Sequence, residues 1–241
     1  MVYLNLSKNK IKSLNVFCQE EMFPNLKWLD VSNNKITELP GIKLPKLEYL
    51  DIGFNKLEKV NEAWTGHPNL QTLKSVDNKF KSLAIFKAMP KLENLFVANN
   101  QITVLNGWDQ MPELRRLHLR RNKIEKMDEE LPPLEKLESV NLRSNKITSM
   151  DFIDRLLKWE RLTDINVLNN PVEQNVSSFN ILVADVLARK PSMLRFCKHQ
   201  INEANRLEAW YFKQYKWQRS EEERYKREEE ERKKAEAEAN A

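Results

Sequence analysis

Between Leu114 and Met127 the sequence LRRLHLRRNKIEKM sets apolar side chains at the first, fourth, sixth, eleventh and fourteenth places and an Asn at the ninth. The same line recurs eight times, marked by Asn9, Asn34, Asn55, Asn78, Asn100, Asn122, Asn145 and Asn170, at steps of 25, 21, 23, 22, 22, 23 and 25 residues. Leu117 and Leu119 alternate with polar neighbours, so both point to one face of a short strand. Leu114, Ile124 and Met127 add to that face from the rest of the same coil. One coil cannot bury this set alone, whereas stacked coils can. The Asn stands where the chain leaves the strand, and its amide can both donate to and accept from backbone groups left unpaired by the bend. The pattern therefore predicts an internal ladder of Asn side chains with a structural role and no catalytic one.

A period in this range with this pattern is the leucine-rich-repeat signature. The predicted fold is α/β: a right-handed leucine-rich-repeat solenoid of about eight repeats of 21–25 residues with a concave parallel sheet, over residues 1–172. A helical C-terminal cap follows at 173–200, then a long charged α-helix projecting over 201–241. The first repeat begins at Met1 itself, with Leu4, Leu6, Ile11 and Leu14, and nothing before it caps the stack. Either upstream residues or a partner would have to cover that end. The convex connections are short and Pro-rich, as in Leu39-Pro40-Gly41 and Leu44-Pro45, which favours turns or a single helical turn. The fourth repeat is irregular, with Ser75 where an apolar residue is expected.

Helical spacing appears in Asp151–Glu160, through Phe152, Ile153, Leu156, Leu157 and Trp159, and in Ser177–Arg189, through Phe179, Leu182, Val183, Val186 and Leu187. A closing strand is expected within KPSMLRF. Beyond Ile201 the composition changes: Trp210, Tyr211, Phe212, Tyr215 and Trp217 fall close together, and a Glu/Arg/Lys/Ala run follows. The pairs Glu222/Lys226, Glu223/Arg227, Glu228/Arg232, Glu229/Lys233 and Glu230/Lys234 each set Glu four places before a base, which favours an exposed helix. A partly disordered charged tail is the alternative. Fold-back of the first helical turns onto the cap is the expected fate of the aromatic patch, with Trp217 and Tyr225 further out as partner anchors.

Charge and chemistry narrow the reading. The net charge of +5 is too small and too dispersed to argue for nucleic acid. Cys18 and Cys197 lie near opposite ends and cannot pair across a rigid stack, which points to a reducing compartment. No signal-peptide run opens the chain and no stretch is long and apolar enough to span a membrane, so a soluble intracellular protein is expected. His67, His118 and His199 fall in separate coils, and there is no Gly-rich phosphate loop and no metal-ligand spacing about either Cys. Neither catalysis nor a cofactor, metal or small-molecule substrate is expected.

The strand face of such a solenoid is where protein binds. Its candidate contact residues are Tyr3, Trp28, Asp30, Tyr49, Asp51 and Phe96, with Asn5, Phe54 and Lys74, in the first half. In the second half they are Arg116, His118, Arg120, Arg121 and Arg143, with Asn141. Trp, Tyr and Arg dominate interface energetics, and the face divides into an aromatic, acidic end and a basic end; a merely solvated face is the plainer reading. Binding of RNA by the Arg cluster is disfavoured because aromatics and Arg are segregated instead of interleaved. On the C-terminal helix the candidate anchors are Trp210, Tyr211, Tyr215 and Trp217. Lys10, Lys35, Lys56, Lys79, Lys123 and Lys146 each follow a ladder Asn and form a row along one edge, read as a solvated edge or as a docking strip for an acidic surface such as tubulin.

The spacing, the Asn-Lys-Ile turns and the Asn169-Asn170-Pro171-Val172 cap resemble the short intracellular class of leucine-rich repeats, which includes phosphatase regulators, spliceosomal subunits and a dynein light chain. The irregular repeat Leu73-Lys74-Ser75-Val76-Asp77-Asn78, and the cap running directly into a Glu/Arg-rich helix, are similar to the leucine-rich repeat-containing protein 23 family of the axonemal radial spoke. The likeness runs from about Leu26 onward; this chain lacks that family's acidic N-terminal extension and is unusually aromatic at Trp210–Trp217. The resemblance implies a non-catalytic scaffold of the third spoke in the cytoskeleton of cilia or flagella, with other axonemal proteins as partners. A regulatory subunit of a phosphatase, or of another cytoplasmic or nuclear complex, is the alternative.

Overall fold

The computed structural model describes residues 1–19, 22–86, 88–107, 110–129, 131–175 and 178–239. Its spine is a ten-stranded sheet. The first eight strands are β1 (Tyr3–Asn5), β2 (Trp28–Asp30), β3 (Tyr49–Asp51), β4 (Thr72–Lys74), β5 (Asn94–Phe96), β6 (Arg116–His118), β7 (Ser139–Asn141) and β8 (Asp164–Asn166). Each pairs in parallel with the next in an unbroken register, so Leu4, Leu29, Leu50, Leu73, Leu95, Leu117, Val140 and Ile165 form one column. From Leu29 onward that column is buried and belongs to a single core running the length of the stack. Leu4, Leu6 and Ile11, at the open first coil, are only partly buried.

The turn after each strand has a fixed conformation. Lys8, Asn33, Phe54, Asp77, Asn99, Arg121, Ser144 and Asn169, the residues before the ladder Asn, all lie in the left-handed region with φ between 54 and 60°. Such a residue without glycine costs about 1 kcal/mol, and the following Asn offsets it. Asn122 shows how. Its Nδ2 donates to Leu119 O in its own coil (3.0 Å) and to Val97 O in the coil before (3.0 Å), while its Oδ1 accepts from Ile102 N–H (3.0 Å). Asn34, Asn55, Asn100, Asn145 and Asn170 repeat this three-way bridge. Each coil is thereby tied to its neighbour by bonds that exist only when both are folded. Among the described residues Asn9 bonds only to Leu6 and Ser7 of its own coil.

The convex side departs from the expected turns and single helical turns. After the first repeat a 3-10 turn forms at Asn15–Cys18, but elsewhere two-residue strands pair across coils: Glu38–Leu39 with Lys59–Val60, and Val104–Leu105 with Lys126–Met127. Pro fixes φ and removes one donor without preventing the next residues from extending. Helix α1 spans Met150–Leu156, where Asp151–Glu160 was expected; Ser149 Oγ caps it at Asp151 N (3.1 Å) and turns carry Trp159 into the core. Helix α2 spans Phe179–Arg189 with Ser178 as its cap, and Ser177, where the expected helix began, lies outside the described residues.

Ser75 is fully buried, and its Oγ has no hydrogen-bond partner among the described residues. An unpaired hydroxyl in an apolar interior is destabilising. Ser75→Ala is expected to raise stability by about 1 kcal/mol. A urea midpoint that moves down on this substitution would show that Ser75 has a partner.

The closing strand is β9 (Arg195–Phe196), parallel to β8, and it turns back as β10 (His199–Gln200) in an antiparallel hairpin. Cys197 and Lys198 sit in the turn with φ of 52 and 67°. Two positive φ angles are what a two-residue hairpin demands, yet neither residue type announces it. The cap is locked by Lys190, whose buried side chain donates to the carbonyls of Leu157 (3.3 Å), Trp159 (2.7 Å) and Glu160 (3.1 Å).

Helix α3 runs Glu203–Ala239, about 55 Å at 1.5 Å per residue. Its first turns pack on α2: Ala209 is buried, Phe212 is half-buried, Arg206 donates to the carbonyls of Pro191 and Met193, and Lys216 pairs with Asp185. The helix does fold back: Ala209 and, of the aromatic patch, Phe212 carry the contact, while Trp210, Tyr211 and Tyr215 lie at its rim and stay more than half exposed. Of the expected Glu-before-base pairs, Glu229–Lys233 closes at 2.8 Å, while Arg224 bridges Glu221 and Glu228. The Lys234 side chain, and residues 240–241, lie outside the described residues.

Candidate protein-binding face

The outer face of the sheet carries the two non-leucine positions of each strand, held in columns by the register. The first column reads Tyr3, Trp28, Tyr49, Thr72, Asn94, Arg116, Ser139, Asp164 and Arg195. The second reads Asn5, Asp30, Asp51, Lys74, Phe96, His118, Asn141 and Asn166. Parallel strands stand about 4.8 Å apart, the spacing at which flat rings in one column stack. Tyr3 and Trp28 stack with centroids 3.9 Å apart and planes 13° apart, and Trp28 and Tyr49 at 4.9 Å and 6°.

The ladder continues with a change of column. Lys74 Nζ lies 5.2 Å from the Tyr49 ring centre and 5.9 Å from that of Phe96, and Phe96 meets the His118 ring edge-on at 6.0 Å. Six side chains on consecutive strands thus touch in series. Stacked and cation–π contacts of this kind each contribute about 0.5–1.5 kcal/mol, so the face is rigid before any partner arrives. The hydrogen bond to Tyr49 holds the Lys74 ammonium above its ordinary range, while burial raises the Tyr49 phenol.

Asp30 and Asp51 have a structural duty that their exposure on the face concealed. Asp30 Oδ1 accepts from Ser32 N–H (2.8 Å) and Asp51 Oδ1 from Gly53 N–H (2.9 Å). Asn5, Asn141 and Asn166 make the same bond to Ser7, Arg143 and Leu168. Asp or Asn at the second strand position terminates the strand by bonding the backbone two residues on, a signal readable in the sequence as an Asx four places before the ladder Asn. Burial raises the Asp51 carboxyl above the usual carboxylate range, and Asp30 adds to the effect.

Arg116 and Arg120 stand on the outer face, and Arg143 lies one strand on in the column of Arg120. Arg121 does not: with φ of 56° it sits in the exposed turn column, as does Phe54, and both belong to the edge beside the sheet. Burial, and then the charge of Arg120, hold the His118 imidazole below its ordinary pKa. The Lys row is exposed along the turn edge, and Lys146 is held by Glu125 at 3.1 Å. On α3, Trp210, Tyr211, Tyr215 and Trp217 are each more than half exposed. They share no surface with the sheet face in any contact described. Both cysteines are free, and burial pushes the Cys197 thiol up to about 12. Among the described residues no group of His, Cys, Asp and Glu is placed to hold a metal, and no helix is long and apolar enough to cross a membrane.

These columns, the Asn ladder and the parallel sheet define a leucine-rich-repeat solenoid. The family model "Leucine Rich repeats (2 copies)" matches residues 24–66 and 90–135. No curated protein matches the chain. Among solved structures, the chain is similar to a TLR13–ssRNA13 complex at 26% identity and a TM-score of 0.60, covering 70% of this chain and 25% of that one. It is also similar to an internalin, InlF, from Listeria monocytogenes at 20% identity and a TM-score of 0.57, covering 84% of this chain and 62% of that one. The chain thus spans a quarter of the first and under two thirds of the second.

Proposed function

We propose that this protein is a non-catalytic scaffold that grips other polypeptides through the outer face of its sheet. The observation that carries the reading is the serial ladder Tyr3–Trp28–Tyr49–Lys74–Phe96–His118, which pre-orders large aromatic edges and so lowers the conformational entropy lost on binding. Pre-ordered Trp and Tyr beside Arg are the composition of interface hot spots. The exposed aromatics of α3 offer a second surface along a neighbour. The finer reading is that of a structural component of the third radial spoke in ciliary or flagellar axonemes, supporting motility, with other spoke subunits as partners. It is supported by the sequence resemblance at Leu73–Asn78 and by the cap that runs straight into a charged helix.

The test is capture from isolated axonemes with the full chain as bait. Trp28→Ala with Tyr49→Ala is expected to reduce recovery of spoke subunits at least tenfold, since each aromatic anchor contributes on the order of 2 kcal/mol. Unchanged recovery removes the binding face. Recovery of a phosphatase in place of spoke proteins keeps the scaffold and replaces the axonemal assignment with a regulatory one.

A further inference from the structure

The charges on the outer face are not balanced, although those beside it are. In the column just before the first face column, Lys27 pairs with Glu48 at 2.7 Å, and Arg115 bridges Glu93 at 3.8 Å and Glu138 at 2.9 Å. At the far end of the face itself, Asp164 is matched by Arg195 at 2.8 Å. Among the described residues, Arg116, Arg120 and Arg143 have no carboxylate within 4 Å; Arg116 reaches only the amide oxygen of Asn94, at 3.4 Å. His118 Nε2 and the Nε atoms of Arg120 and Arg143 are buried without a hydrogen-bond partner among the described residues. Arg116, Arg120 and Arg143 thus gather three guanidinium groups without a carboxylate partner around His118 on neighbouring strands at one end of the face. The opposite end carries Asp30 and Asp51 beside the ring stack.

We infer that the occupant of this face is a polypeptide segment with an acidic cluster at one end only, its carboxylates seated on Arg116, Arg120 and Arg143 and its less acidic part crossing the Tyr3–Trp28–Tyr49 edges. This deepens the scaffold reading and rests on it. The distance between the two ends follows from the sheet: four strand steps separate β2 from β6, about 19 Å at 4.8 Å per step. A partner helix covers that length in about thirteen residues and an extended strand in about six. Paired guanidinium–carboxylate bonds are directional and fix register.

Two features favour such a segment over single-stranded RNA, the ligand in the similar TLR13 complex. Base stacking needs a free ring face, and here both faces of Trp28 are covered by Tyr3 and Tyr49, and Tyr49 lies between Trp28 and Lys74, so that the edge strand's Tyr3 alone of the three keeps a face without a neighbour among the described residues. A phosphate backbone is also uniformly charged, so it would carry the same charge past Asp30 and Asp51 as past the arginines.

The experiment is fluorescence anisotropy with the full chain at low ionic strength and two labelled probes of about twenty units, oligouridylate and a peptide with a polyglutamate block at one end and uncharged residues over the rest. Wild-type protein is expected to bind the peptide more tightly than the RNA. Arg116→Glu with Arg120→Glu and Arg143→Glu is expected to weaken peptide binding by at least about thirtyfold. Lys35→Glu with Lys56→Glu and Lys123→Glu makes the same change of net charge on the turn edge and is expected to weaken it less than about threefold. Circular dichroism melts confirm that both variants fold. Equal losses in the two triple variants, or tighter binding of the RNA than of the peptide, overturn the proposal. So does sedimentation showing a wild-type dimer that the Arg variant dissolves, because the acidic segment would then be a second copy's Glu-rich α3. If these results go against it while spoke capture still depends on Trp28 and Tyr49, the acidic segment is wrong and the scaffold stands.

Discussion

Asn122→Ala is expected to lower the unfolding free energy by about 4 kcal/mol, the largest effect of any single change away from the leucines. The side chain serves two coils at once, through Val97 O, Leu119 O and Ile102 N–H, and all three are interior. Alanine leaves Ile102 N–H without its acceptor, at about 1–3 kcal/mol, and removes one of two side-chain donors from each carbonyl, at about 0.5–1.5 kcal/mol apiece, since Asn100 still donates to Val97 O and Asn145 to Leu119 O. The left-handed Arg121 also loses the neighbour that offsets its strain. The matched control is Asn9→Ala. Asn9 is exposed and, among the described residues, bonds only within its own coil, so its loss is expected to cost under about 1 kcal/mol. Urea unfolding monitored by circular dichroism measures both. Hydrogen exchange should further show that Asn122→Ala exposes the coils on either side, since in a stacked array stability is carried by neighbour interfaces. Equal effects at the two positions would mean that the ladder does not couple the coils.

Acidification from pH 7 to pH 4 is expected to remove about 3 kcal/mol of stability through His67 alone. The imidazole is buried, 3% exposed, and packs edge-on against Trp64 at 4.8 Å. Burial depresses its pKa from 6.5 to about 4, opposed in part by a hydrogen bond with the Leu44 backbone. Between those values the unfolded chain binds a proton that the folded chain refuses, so stability falls as pH falls through the window from 6.5 to 4. Above 6.5 both states are neutral there and the effect vanishes. The size follows from about 1.4 kcal/mol per pH unit across that window. His67→Leu should flatten the difference between unfolding free energies at pH 7 and pH 4 by this amount. A variant with the same acid slope as wild type would place the proton elsewhere.

Much of the architecture was legible in the sequence because a repeat states its rule many times over. The spacing placed Leu117, Leu119 and Asn122, and with them the eight repeat strands β1 to β8, since one coil cannot bury its apolar set without the next. What was not legible depends on positions that occur once. The hairpin at Cys197–Lys198 needs two left-handed residues but contains neither Gly nor Asn, because burial of Phe196 and pairing with β8 impose the bend. The paired strands on the convex side, at Glu38–Leu39 and Val104–Leu105, come from coil contacts that Pro punctuation does not reveal.

Alternation put most of the candidate face in its observed columns, with Phe54 and Arg121 the exceptions. Alternation placed Trp28, Tyr49 and Arg116 outward. It did not show that Asp30 and Asp51 bond their own backbones, nor that Arg121 turns aside, because both depend on the φ angles of the exit turn. On α3, aromatic content suggested fold-back of the patch, but not its phase: the helix turns Ala209 and Phe212 to α2 and leaves Trp210 and Tyr211 more than half exposed.

The claim on which the rest depends is that partners are held on the strand face of the stack. Photo-crosslinking reads this directly. A benzophenone side chain is placed at Thr72 or Ser139, which face outward between the anchor residues, and in separate proteins at Lys59 or Lys126 on the convex strands. Irradiation in axoneme extract is expected to give discrete polypeptide adducts from the first two positions and none from the second two. Adducts from Lys59 and Lys126 with nothing at Thr72 and Ser139 would contradict the account.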